Sequence, residues 1–324
     1  MRHTSGMRPL GLFLFVLSAA RVSGDTILLA HDAEGRLLRQ APALFRHDGL
    51  VLTSRDALSG AASAVVLDDQ GRAHPVVYVS GEDPDAGVVE VFVGLQAPAG
   101  PAAASSFTSA LHTSAHLAAA GQLKESGAFG EIAPLDCRIQ PSSEHDDGPL
   151  FDEHNHFAGW HVTRQVDGKS VSFAIPASRF DAISRSMSVP LGAWVAGLRP
   201  DREQDYRRAL GHLWLLEFDG ALFYFRRATQ SEPANARAWL HRGFVEGKLG
   251  HGKTRLDCYE KAVLLAPQLA EAHYYLGFVR LMQGEISLAR AEHQSLVRLG
   301  SPLAEKLRLF IETAHVDVLV RSQP

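Results

Sequence analysis

The sequence predicts a multi-domain β + α protein, with a turn-rich all-β unit over residues 25–186 and an α-helical repeat solenoid over 202–303. Three observations carry this. Short apolar runs alternate with Gly, Asp and Pro through the first half, at the length and spacing of strands in a β-sandwich or barrel. A 34-residue period runs through the second half. Between them lies a Gly- and Pro-containing stretch, residues 187–201, read as a linker. A chain of 324 residues is long enough for two cores.

At the N-terminus, Arg2 and Arg8 precede the apolar run Leu10–Ala20, and the small residues Ser23 and Gly24 follow. That order predicts a signal peptide over 1–24 and an exported, periplasmic or secreted, mature chain. A membrane span needs roughly 20 apolar residues, and Arg21 cuts this run short. The two cysteines, Cys137 and Cys258, fall where a core strand and a core helix are expected, so they read as separately buried thiols. Residues 25–190 carry 11 Lys and Arg against 21 Asp and Glu, which argues against nucleic-acid binding by that half. Residues 191–324 carry 18 against 15, a contrast that helps the two halves dock.

The strand candidates come in order: Thr26–Ala30, Gly49–Thr53, Ala64–Leu67, Val76–Val79, Val88–Val93 and Val171–Ile175. Pattern alone leaves sandwich and barrel open. Four motifs narrow the choice. They are Gly49-Leu-Val-Leu-Thr-Ser-Arg-Asp-Ala-Leu58, Gly81-Glu-Asp-Pro-Asp-Ala-Gly-Val-Val-Glu-Val91, Leu135-Asp-Cys-Arg-Ile-Gln-Pro141 and Ser172-Phe-Ala-Ile-Pro176. In this order, and with Gly148-Pro149-Leu150, they resemble trypsin-like serine peptidases of the high-temperature-requirement (Deg) type. The resemblance covers about Ile27–Ser186 and implies a double β-barrel, two six-stranded barrels with a cleft between them.

The same resemblance implies a site without its chemistry. The histidine position is Asp56, the aspartate position Gly87 and the serine position Asp146, with Asp147 and Glu144 where the loop is usually glycine. Acyl transfer needs a nucleophile, a base and a group that orients the base, plus donors aimed at the oxyanion. Here all three are replaced, and carboxylates repel an oxyanion, so the expectation is a pseudopeptidase. The alternative is a divergent, still active serine-type endopeptidase in a shifted register, using Ser142 or Ser143. No histidine lies within five residues of Asp56 to serve it. Asp56, Asp146, Asp147 and His145 read as solvated charges rather than a ligand set for a cation or an acid/base pair. Asp152-Glu-His-Asn-His156 reads as a polar hairpin turn. No cofactor and no metal site is expected.

In the second half, Ala228, Ala262 and Leu296 stand 34 apart, with Phe225, Tyr259 and His293 three residues before them and Ala221, Arg255 and Ala289 seven before. Pro233, Pro267 and Pro302 close the units. This pattern resembles three tetratricopeptide repeats over 202–303, followed by a capping helix over Leu303–Ala314 within 304–324 and a tail from His315 that forms a short strand or stays loose. The resemblance implies a partner-binding concave face carrying Tyr206, Leu210 and Trp214, then Leu240, Phe244 and Lys248, then Tyr274, Phe278 and Met282. The Asn/Lys/Arg set that clamps acidic peptide tails is missing, so an apolar, aromatic groove for a protein or peptide is implied. Phe244 and Tyr274 are expected to project into one concavity, outside the intrarepeat core. The competing expectation is that the chain's own first domain fills the groove.

Overall fold

A computed structural model describes residues 26–94, 147–151, 156–181, 183, 187–198 and 200–321. The expected signal peptide, Cys137, residues 142–146 (Asp146 among them) and Asp152–Asn155 lie outside them.

Six strands come first: β1 Ile27–His31, β2 Leu37–Phe45, β3 Leu50–Ser54, β4 Ser63–Leu67, β5 Ala73–Asp83 and β6 Val88–Val93. All pair antiparallel in the order β5-β4-β1-β2-β3-β6, and β5 also pairs with β6. The sheet therefore closes on itself as a six-stranded ring, and closure removes the free edges that expose unpaired backbone. Its interior takes Leu28, Ala30, Val51, Val66, Val79, Val89 and Val91, all buried. Each apolar run foreseen in this half is a strand.

Three further strands, β7 Gly148–Phe151, β8 Phe157–Val166 and β9 Lys169–Pro176, form a separate antiparallel sheet in the order β7-β8-β9. Asp167 and Gly168 turn β8 into β9 with φ of 49° and 75°, the left-handed geometry that a two-residue hairpin turn requires. A short helix, α1 Ala177–Asp181, follows β9 and buries Phe180.

The linker expected at 187–201 is a correction. Its Val189–Pro190 is strand β10, paired with β5, and its Leu191–Gly197 is helix α2. Leu191 and Trp194, three apart on one helical face, bury into the barrel core beside Met187, Val189 and Leu198. Apolar residues at helical spacing found a surface to cover, which the Gly and Pro content had masked.

The helical array follows the 34-residue period. It comprises α3 Pro200–Trp214, α4 Phe218–Ser231, α5 Ala236–Lys248, α6 Gly252–Leu265, α7 Ala270–Met282 and α8 Ile286–Arg298. Ala221, Phe225, Ala228, Tyr259, Ala262, Ala289 and Leu296 are buried between paired helices. Gly243 is there because of close approach: a Cβ would lie 2.8 Å from the Tyr259 ring. Cys258 is buried on α6, and burial pushes its thiol up to about 11. Helix α9, Leu303–Arg321, caps the array with Leu303, Leu307 and Ile311 against Ala289 and Leu296. The tail from His315, foreseen as strand or loose chain, continues this helix to Arg321.

The β unit and the array share one core. Leu52, Val88, Trp160, Val162, Phe173 and Phe180 pack in the same cluster as Leu210, Leu213, Trp214, Leu240 and Phe244. At the seam, a Cβ on Gly211 of α3 would fall 2.6 Å from Val166 of β8.

Candidate functional site: the groove of the helical array

The β5–β6 hairpin, Asp83–Gly87, decides what the groove can do. Asp83 Oδ1 accepts the backbone N–H groups of Asp85 and Ala86, both at 3.1 Å, and Gly87 N–H donates to the Asp83 carbonyl at 2.9 Å. These bonds make the tip rigid and present Asp85 outward from the barrel. Outward here means into the helices. The Asp85 carboxylate accepts from the Tyr206 hydroxyl of α3, from Arg237 of α5 at 2.8 Å and from Arg179 of α1 at 3.1 Å, and lies 3.2 Å from His241 Nε2. Arg179 also pairs with Asp83. Arg164 of β8 donates to the carbonyls of Asp85 and Ala86, at 3.0 and 2.9 Å.

Asp85 is only 3% exposed. Burial by itself would raise its carboxyl, but Arg237, His241 and Arg179 overcome this and hold it well below the usual carboxylate range. Burial and the Asp85 charge together push the Tyr206 phenol well up. An acidic side chain at the centre of one tyrosine and three basic groups is the polar pin between the two halves.

Around that pin the groove positions are filled. Tyr206, Leu210, Trp214, Leu240 and Phe244 are buried in the shared core. The Trp214 ring meets Phe173 of β9 edge-on at 5.1 Å, with the Arg164 guanidinium 5.2 Å above it. Phe244, expected outside the core, is a core residue whose ring meets Tyr275 at 6.0 Å. Tyr274 packs against the capping-end cluster of Ala289, Leu296 and Leu303 and meets the same Tyr275 ring at 5.2 Å. Lys248 stands over the Phe244 ring at 5.2 Å. Phe278 is half-buried and meets Phe310 of α9 at 5.2 Å, while Met282 is 65% exposed. The chain's own β unit thus occupies the groove of the first two repeats and leaves the third open.

The positions matched to a catalytic triad are also accounted for. Asp56 sits in a turn of 3₁₀ helix, Arg55–Leu58, at the end of β3. Its carboxylate accepts two bonds from Arg207 of α3, at 2.5 and 2.6 Å. Burial raises its carboxyl, and Arg207, then Arg164 and Arg55, bring it net downward. Arg55 itself pairs with Glu82 at 3.0 Å and with Glu203 of α3. Gly87 has φ of 71°, and a Cβ there would lie 3.3 Å from Arg164 Nη2. The space an orienting carboxylate would need is held by a guanidinium. Asp147 accepts the Thr163 N–H at 2.7 Å and lies 3.8 Å from Arg164. Burial, with Asp56 adding to it, leaves its carboxyl raised despite Arg164.

Sequence reasoning missed Asp85, Arg179, Arg237 and His241. The signal was present in part: an acidic Glu82-Asp83-Pro84-Asp85 run facing a helix that carries Arg237 and His241 one turn apart. It also missed Asp167, His212 and Glu217, which among the described residues have the mutual spacing of metal ligands.

A six-stranded barrel with an attached three-stranded sheet, packed against a tetratricopeptide-type helical array, is the class of protein these features define. No protein-family model matches the chain. A tetratricopeptide repeat-containing protein of Caenorhabditis elegans, trd-1, is 31% identical over 90 residues, 27% of this chain and 12% of that relative, so the chain spans a small part of its length. Among solved structures, the Sgt2 tetratricopeptide domain of Aspergillus fumigatus is similar at 17% identity and TM-score 0.35, over 39% of this chain and 86% of that one. The Arabidopsis OM64 tetratricopeptide domain gives 17% and 0.33, over 35% and 94%. Among the described residues no helix is long and apolar enough to cross a membrane.

Proposed function

We propose that this chain is an exported, non-catalytic member of the trypsin-like class, working in protein–protein interaction through its helical array. The six-stranded ring, the order of the quoted motifs and the placement of Gly148-Pro149-Leu150 on the first strand of a second sheet support the trypsin-like reading. The observation that carries the non-catalytic reading is the grip of α3 on the dead cleft. Arg207 covers Asp56 where a base would stand, and Arg164 fills the space beside Gly87 where its orienting group would stand. A nucleophile with neither loses roughly 10⁴-fold or more in rate.

For interaction, the first two repeats bind inward and hold the β unit. The third repeat, with Phe278, Met282 and Phe310 of the capping helix, is the face left for another protein. The likeness to a tetratricopeptide repeat-containing relative over 90 residues supports that kind of module. The order of charged, apolar and small residues at the N-terminus supports export.

Exposure of the purified full chain to a serine-directed fluorophosphonate tests the reading. We expect no covalent labelling and no hydrolysis of denatured casein above background. Stoichiometric labelling would establish the active endopeptidase instead.

A further inference from the structure

At the seam between the β8–β9 turn and the first repeat lies a cavity of about 310 Å³, lined by Gln165, Asp167, Gly168, Arg208, His212 and Tyr224. His212, in the last turn of α3, is 3% exposed. Its ring is fixed from several sides. Tyr224 stacks on it at 5.3 Å, and Gly220 of α4 makes room for it, since a Cβ there would fall 2.5 Å from Nδ1. The chain leaving α3 folds back so that Glu217 N–H donates to the His212 carbonyl at 2.9 Å, which sets the Glu217 carboxylate 2.8 Å from Nδ1.

In one tautomer that contact is a hydrogen bond from Nδ1–H to the Glu217 carboxylate. With Nδ1–H donated to Glu217, Nε2 carries a lone pair, and a buried Nε2 without a hydrogen-bond partner is what the structure shows. It points at Asp167 Oδ1, 3.6 Å away. In that tautomer two acceptors face each other across the cavity, an arrangement that a cation between them would satisfy. Metal–ligand bonds of 2.0–2.1 Å in tetrahedral geometry separate two ligand atoms by about 3.3 Å, close to the gap already present. A carboxylate on the far nitrogen of the imidazole is the usual support that orients a metal-bound histidine and raises its basicity.

We propose that His212 Nε2 and the Asp167 carboxylate, supported by Glu217, hold a divalent transition-metal ion of the zinc class. One imidazole and one carboxylate suit zinc, cobalt or nickel, whereas calcium and magnesium call for six or more oxygens. Water completes the coordination on the open side of the cavity. Arg208, whose guanidinium stands 5.9 Å over the Tyr224 ring on the same wall, favours hydroxide or another anion there. The ion would tie the β8–β9 turn of the three-stranded sheet to the array, a second fastening beside Asp85.

The test uses the purified full chain, stripped with a chelator and titrated separately with Zn²⁺ by calorimetry and with Co²⁺ by visible absorption. We expect one equivalent to bind, with the d–d spectrum of a nitrogen- and oxygen-ligated site and a rise in melting temperature. Asp167 and Glu217 are 72% and 52% exposed on their side chains, so Asp167→Asn and Glu217→Gln leave the fold intact, as circular dichroism would verify. Glu217→Gln should lower affinity by about 10- to 100-fold, and Asp167→Asn, which alters a direct ligand, by at least as much. Absence of saturable binding would overturn the proposal. Affinity unchanged by Asp167→Asn would place the ion elsewhere among the chain's 16 histidines and would overturn it equally.

Discussion

The two ends of the helical array use the same repeat positions for different ends. Tyr206, Leu240 and Tyr274 stand 34 residues apart, as do Leu210, Phe244 and Phe278, and Trp214, Lys248 and Met282. In the first two repeats Tyr206, Leu210, Trp214, Leu240 and Phe244 are buried in the core that the β unit shares with the array. In the third, Tyr274 and Phe278 are half-buried and Met282 faces solvent. The sequence pattern is alike at both ends, so burial in a solenoid groove is decided by what lies in it. What lies in the first two repeats is a hairpin carrying a carboxylate to Arg237, His241 and Tyr206.

The largest effect should come from removing that carboxylate. Asp85→Ala leaves Arg237 and Arg179 buried with one partner fewer and orphans the Tyr206 hydroxyl. Deleting one member of a buried ion pair costs about 3–5 kcal/mol. Chemical denaturation should register that loss, and limited proteolysis should find the β unit loosened from the helices. Stability within about 1 kcal/mol of the unaltered chain would mean the pin is incidental, as a surface pair would be.

Next comes a paired truncation that separates the two ends directly. Phe244→Ala removes a core ring and should cost about 3–5 kcal/mol. Phe278→Ala, at the equivalent position one repeat on, removes a half-buried ring and should cost about 1–2 kcal/mol. Equal costs would erase the distinction between a filled and an open groove. Capture of a partner should depend on Phe278 and Met282 in a chain whose melting temperature is little changed.

Much of this was readable beforehand. The 34-residue period located the paired helices, and the apolar runs located the strands, because both follow from local spacing. The filling of the groove depends on two segments 121 residues apart in the contact of Asp85 with Tyr206, and no local pattern encodes that meeting. Leu191 and Trp194 show the opposite failure: their helical spacing was visible, but neighbouring Gly and Pro suggested a linker. At the candidate site, the columns of groove residues were legible and the first domain stood as the competing occupant, while the hairpin residue that enters, Asp85, was not. The residue types at positions 56 and 87 were legible too, whereas Arg207 and Arg164, which pack against them, come from distant elements.

The two ends should also differ in their response to pH. Asp85 and Asp83 have carboxyls held below the usual range. Their contribution is complete above the unfolded value near 3.9 and fades as pH falls through the lower folded value. In the third repeat the sign reverses. The Glu292 carboxylate, 2.6 Å from His273, raises that imidazole against the opposing effect of burial. Its contribution is complete below 6.5 and is lost as pH rises through the raised folded value. Hydrogen exchange, corrected for intrinsic rates, should therefore show α7 and α8 opening more readily at pH 8 than at pH 5. The β5–β6 hairpin should hold over that range and loosen only below about pH 4. Parallel behaviour of the two regions would contradict this assignment.

The smallest effect should fall at the contact that looks most like an active-site feature. Arg207 and Asp56 make two hydrogen bonds, yet the Asp56 side chain is 57% exposed. Water competes for both partners, so an exposed pair of this kind contributes about 0–1 kcal/mol. Arg207→Ala should leave the melting temperature almost unchanged and the hairpin in place, since Arg55 still reaches Glu203 from the neighbouring residue. Asp85 and Asp56 both bind arginines of the array, and burial is what separates them: Asp85 has no water to fall back on, and Asp56 does. A large loss of stability in Arg207→Ala would mean that α3 holds the β unit chiefly at Asp56 rather than at Asp85. A small one, beside a large loss in Asp85→Ala, assigns the fastening to the hairpin and leaves the Arg207–Asp56 pair a solvent-screened surface contact.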